Sequence, residues 1–138
     1  MIHAGNDFRS AGPEATLRLV HVVRSVTVDN RLENGAKHNY RTHGRAENNY
    51  ASGNVLVNSG IMLGTMDTDF IGRQWFVDNT LHHTMPSLLE IELDTPDVTI
   101  SDNTIYTNVW TCLLCRDMPA GWTMEGNQLL PYTPAPAR

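Results

Sequence analysis

A chain of 138 residues has the length of one domain, and 41% hydrophobic against 18% charged residues excludes a disordered or collagen-like protein. Fifteen acidic against ten basic residues give a net charge of −5, which argues against nucleic acid as the main partner, because that affinity draws on excess cations. No stretch reaches the roughly 18 apolar residues of a membrane span, and the N-terminus, with Asp7 and Arg9, has no apolar signal core, so neither a span nor a signal peptide is expected. In chain order, a pattern of Gly or Asp, then Asn, any residue and a large apolar residue recurs at Gly5-Asn6-Asp7-Phe8, Asp29-Asn30-Arg31-Leu32, Gly53-Asn54-Val55-Leu56, Asp78-Asn79-Thr80-Leu81, Asp102-Asn103-Thr104-Ile105 and Gly126-Asn127-Gln128-Leu129. Successive asparagines are 24, 24, 25, 24 and 24 residues apart.

Such a period announces a repeat architecture. The intervening segments alternate or form short β-branched clusters such as Val26-Thr27-Val28 and Val98-Thr99-Ile100, which read as strands rather than helices. Short strands at a fixed period, bounded by turn residues, fit a solenoid whose coils stack on one another. A buried Asn at the same corner of every coil would form a ladder at the inter-strand spacing of about 4.8 Å. Asn suits the corner because it tolerates a left-handed bend and its amide both donates and accepts. A leucine-rich repeat shares this period, but its leucines fail to appear before Asn54, where Ala46, Asn49 and Ala51 stand, or at Gln74 before Asn79.

Val98-Thr99-Ile100-Ser101-Asp102-Asn103-Thr104-Ile105 resembles the recurrent coil of the right-handed parallel β-helix family, the pectate-lyase-like or carbohydrate-binding β-helix repeats, and Gly35-Ala36-Lys37-His38-Asn39-Tyr40-Arg41-Thr42-His43-Gly44 is similar to a segment of such proteins. The resemblance covers roughly residues 1–130 and implies an all-β solenoid of five to six coils with an Asn ladder. It also implies a carbohydrate partner and an extracellular or cell-surface location. Residues 131–138, with three prolines, are expected to leave the solenoid as an extended tail. With no capping element evident, a homo-oligomer or a continuation of the helix would cover the strand edges.

Equal offsets from the ladder Asn should become neighbours. Counting eleven to thirteen residues forward gives an outward strip of Arg18, Arg41 with His43, Asp67, Glu90 with Glu92, and Arg116, while Leu89, Ile91, Leu113 and Cys115 point inward. Charges on a flat sheet face suit an extended acidic polysaccharide. They also suit plain cross-strand pairing, at about 0.2–1 kcal/mol per pair.

β-Elimination of a uronic acid needs a carboxylate clamp, a base and an acid. Lys37, His38, Arg41, His43 and Arg45 cluster within nine residues, with Arg41 as clamp and His43 or Lys37 as base. Lys37 equally reads as a solvated loop lysine, and His38 as a packed strand residue. Hydrolysis would need two carboxyls, for which Asp67, Glu90 and Glu92 are eligible. The same carboxylates with Asp69 or Asp94 could hold Ca²⁺, but no compact calcium loop is present and no metal is assigned. Cys112 and Cys115 have CxxC spacing, yet on a strand they would face opposite ways. His82-His83 reads as a turn pair. Trp75, Trp110 and Trp122 are divided between sugar platforms and core, with packing favoured for two of the three. The sequence thus points to a β-helix that binds, and as a lyase would process, an acidic glycan, with a non-catalytic adhesive segment such as a tailspike piece as the alternative.

Overall fold

The structure, a computed structural model, describes residues 1–10, 15–43, 46–63, 72–84, 89–90, 97–108 and 121–137, with the backbone alone for His43, Met62, Leu89 and Glu90. Every regular element among them is a strand, and all strand pairs are parallel. Each of the first four coils passes in turn through three sheets. The first coil contributes β1 (Ile2–Ala4), β2 (Asp7–Arg9) and β3 (Ala15–Val20), and the second β4 (Val26–Val28), β5 (Arg31–Glu33) and β6 (His38–His43). The third gives β7 (Glu47–Ser52), β8 (Val55–Val57) and β9 (Gly60–Leu63), and the fourth β10 (Gly72–Val77), β11 (Thr80–His83) and β12 (Leu89–Glu90). In the fifth, β13 (Val98–Ser101) and β14 (Thr104–Thr107) are described, and in the sixth β15 (Trp122–Glu125) and β16 (Gln128–Pro131). Sheet A therefore runs β1-β4-β7-β10-β13-β15, sheet B β2-β5-β8-β11-β14-β16, and sheet C β3-β6-β9-β12. This is a parallel β-helix.

Inward positions stack like with like, because a side chain on a parallel strand sits beside its register partner. Sheet B contributes the column Phe8, Leu32, Leu56, Leu81, Ile105 and Leu129, and sheet A the column Thr27, Ala51, Phe76 and Ile100. Tyr40 of β6 packs against Phe76 with ring centroids 5.8 Å apart, tying sheet C to sheet A. Burial without compensating charge raises the Tyr40 phenol pKa.

The asparagine ladder forms at the corner between sheets A and B. Each Oδ1 accepts the backbone N–H and the side-chain amide of the preceding rung, from Asn6 onto Asn30 through Asn103 onto Asn127, at 2.8–3.1 Å. The left-handed bend, however, is not made by the asparagines. Gly5, Asp29, Gly53, Asp78, Asp102 and Gly126, one residue earlier, carry φ between 53° and 68°. The labour is divided: Gly or Asp supplies the bend, and Asn satisfies the backbone groups that the bend removes from the sheet.

The corner before sheet A repeats this design with varied chemistry. Arg24, Asn48, Arg73, Asp97 and Gly121 are left-handed, and the residues after the first three, Ser25, Asn49 and Gln74, turn inward. Asn49 Oδ1 accepts from the Ser25 N–H and hydroxyl at 3.0 and 2.7 Å, and Gln74 Nε2 donates to the carbonyls of Ala46 and Gly72 at 2.7 and 3.0 Å. The column becomes apolar at Val98 and Trp122.

Two expectations change. His82 and His83 are not a turn pair but belong to strand β11, where alternation sends His83 inward, its Nδ1 3.4 Å from Thr107 Oγ1, and His82 outward. The C-terminal tail does not leave the solenoid. The last strand runs to Pro131, and the chain then returns across the outside of sheet B, where the Thr133 carbonyl lies 2.6 Å from His82 Nδ1, fifty-one residues away in sequence.

Candidate functional site

Sheet C holds three of the eight anticipated residues in one transverse row. The register aligns Arg18 of β3 with Arg41 of β6, Arg41 with Met62 of β9, and Met62 with Glu90 of β12. The third place in the row belongs to Met62, which follows its ladder Asn by eight residues, whereas Arg41 and Glu90 follow theirs by eleven. The reason is a turn of variable length: β6 begins eight residues after its ladder Asn, β9 six and β12 ten, so forward counting slips there. Asp67, Glu92 and Arg116 lie outside the described residues, as do Arg45, Asp69, Asp94, Ile91, Trp110, Cys112, Leu113 and Cys115.

Arg41 was expected on an open outer face and is instead 6% exposed. It sits on an interior strand, flanked on both sides, whereas Arg18 occupies the edge strand β3 and is exposed. His43 follows Arg41 by two residues on the same strand. Lys37 is exposed in the turn ahead of β6, and His38 is buried at the start of the strand, so the structure does not gather all the members of the anticipated cluster on one accessible surface.

A second surface is better formed. The outward row of sheet A reads Ile2, Val26, Tyr50, Trp75, Thr99 and Thr123 in register. Tyr50 is 38% exposed and Trp75 partly exposed, so two aromatic side chains stand on adjacent strands of an open face. Trp122, by contrast, packs into the core. Beside the aromatic pair, a cleft of about 320 Å³ is lined by Glu47, Asn48, Gly72, Arg73 and Asp97. Its origin is legible in the register: Gly72 pairs with Glu47 and has no side chain, which leaves a gap in the row. The cleft offers a guanidinium, an amide and two carboxylates.

None of these cleft residues was anticipated. A backward count would have found them, since Arg24, Asn48, Arg73, Asp97 and Gly121 all stand six residues before a ladder Asn, and Tyr50 and Trp75 four before. Among the described residues no group of three or more His, Cys, Asp or Glu side chains gathers to hold a metal ion, and no helix is long and apolar enough to cross a membrane.

No family model, no curated protein and no solved structure matches the chain.

Proposed function

We propose that the protein binds an extended acidic polysaccharide across the outer face of sheet A and the adjoining corner. The observation that carries this reading is the registered Tyr50–Trp75 pair beside the Glu47, Asn48, Arg73 and Asp97 cleft. Apolar ring faces accept the C–H faces of sugars, while a few convergent polar groups fix orientation, the general pattern of a small-molecule site. Arg73 is the group suited to a uronate carboxylate, because a guanidinium can bind it with two parallel hydrogen bonds. Asn48, Glu47 and Asp97 are suited to hydroxyls. The pectate-lyase-like kinship and an extracellular setting belong to the same proposal.

Affinity electrophoresis in gels containing polygalacturonate or alginate tests it. Retardation of the wild type, lost in Trp75→Ala and reduced in Arg73→Gln, is expected; equal migration of all three refutes the assignment. Burial of Arg41 favours the adhesive, non-catalytic form of this function over cleavage, because a carboxylate clamp must reach its substrate. Retained binding without ultraviolet absorbance from an unsaturated uronate is the outcome expected of that form. Product formation, abolished by Arg41→Ala, would instead assign lyase chemistry to Arg41 as clamp, with His43 or Lys37 as base.

A further inference from the structure

The outer face of sheet B differs from that of sheet A. His82 and Val57 point outward there, yet they are only 4% and 9% exposed. The chain's own tail lies over this face: Pro134 and Pro136 face Val55, Thr80, His82 and Tyr106 across a cavity of about 440 Å³. We infer that this face is a groove that recognises an extended proline-rich segment, and that residues 132–137 are its resident occupant. The inference uses sheet B alone and stands apart from the glycan proposal.

The chemistry on each side is complementary. A segment with proline at 131, 134 and 136 has lost those backbone donors but keeps its carbonyls, and it is already extended, so little ordering entropy is lost on docking. Its receptor must therefore donate. His82 does so at the Thr133 carbonyl, 2.6 Å away; since a carbonyl oxygen only accepts, the contact places the imidazole hydrogen on Nδ1. Tyr106, the register partner of His82 on β14, stacks on the imidazole at 4.9 Å and 11°, which fixes the plane in which that hydrogen points. Aromatic side chains presented to a polyproline-like segment are the recurrent means of such recognition. The tail residues themselves remain largely exposed, so the occupant is held from one side and can leave.

The test uses the full chain labelled with ¹⁵N. Heteronuclear relaxation at the amides of Thr133, Ala135 and Ala137 should match that of the strands in the wild type. In Tyr106→Ala, in His82→Ala and in the double variant Pro134→Ala/Pro136→Ala it should shift to values of a free tail. The amides of Asn54 and Asn79 serve as the folding control, and the proline variant, altered only beyond the last strand, leaves the solenoid sequence intact. A synthetic peptide copying residues 131–137 should then perturb the His82 and Tyr106 signals of the proline variant. At equal peptide concentration the shifts should be several-fold smaller in the wild type, whose tethered tail competes at an effective concentration of about millimolar. Mobile tail amides in the wild type, an unreleased tail in the proline variant, or a proline-free scrambled peptide that binds equally well would each overturn the inference.

Discussion

Replacing Asn79 by alanine isolates what one rung of the ladder contributes. Asn79 is 1% exposed. Its Oδ1 accepts the Asn54 backbone N–H at 3.0 Å and the Asn54 side-chain amide at 2.9 Å, while its Nδ2 donates to the carbonyls of Ala51 and Val77 and to Asn103 Oδ1 at 2.9–3.1 Å. Two amide hydrogens shared among three acceptors, plus two accepted hydrogens, amount to about four net hydrogen bonds at about 1 kcal/mol each. Alanine also strands the Asn54 N–H in a dry corner. The expected loss is about 4 kcal/mol, a large share of the roughly 5–15 kcal/mol that holds a domain folded. With a urea m-value of about 2 kcal/mol/M, the midpoint followed by circular dichroism should fall by about 2 M. Asn6 is the internal control: it is exposed, its Nδ2 reaches Ala4 and Asn30 only, and its own backbone bond to Asn30 survives truncation, so Asn6→Ala should cost about 1 kcal/mol or less. If the two variants lose stability equally, the ladder is a sequence marker without an energetic role.

Three further measurements probe other links. Gly53→Ala should cost about 2 kcal/mol or more, because φ is +66° and a Cβ would stand 2.4 Å from Asp29 Oδ1; Gly5→Ala, with φ +64° and no atom within 4 Å, should cost only about 1 kcal/mol. Asp29→Gly in the same chain should bring the cost of Gly53→Ala down toward that at Gly5, and additive effects in the double-mutant cycle would disprove the contact. Tyr40 should make the protein sensitive to alkali. Its raised folded pKa means that the unfolded chain releases a proton the folded one keeps, so stability is intact below the ordinary value of about 10 and falls above it by up to about 1.4 kcal/mol per pH unit, a slope Tyr40→Phe should reduce. Phe76→Ala, at the Tyr40 contact in the core, should lower stability by about 3–5 kcal/mol in urea titrations, and a loss under 1 kcal/mol would contradict the packing.

The corner between sheets A and B is legible in the sequence because every coil reaches it after 24 or 25 residues and solves it with the same amide. The six asparagines sit in a column. The corner before sheet A stands at an equally constant distance from the ladder, but Ser25, Asn49 and Gln74 meet the same need with three different side chains, so no residue type repeats. The turn from sheet B to sheet C is legible least. Its length changes from coil to coil, which is why Arg18, Arg41 and Glu90 fell into one row while a count of eleven residues overshot Met62, eight residues after Asn54. Outward positions carry no packing penalty that would tie their identity to the period, and the sequence therefore marks the frame more firmly than the chemistry on it.

That difference gives the cleft its significance. At the left-handed corner before sheet A, Gly121, Asn48 and Asp97 are residues that adopt positive φ readily, but Arg24, at φ 60°, and Arg73, at φ 39°, are less suited to it. Nothing in the ladder requires a charge there, since the inward side-chain hydrogen bonds at this corner are made by the residues one place later. Of the two arginines, Arg73 lines the open cleft beside the aromatic pair, and backbone strain of this kind concentrates at functional surfaces. The same reasoning separates Arg73 from Arg18: Arg18 lies on a β-strand at an exposed edge, where a charge is cheap and also discourages edge-to-edge pairing. Arg24 shares the left-handed corner with Arg73, but Arg73 combines that backbone with a place in the cleft lining.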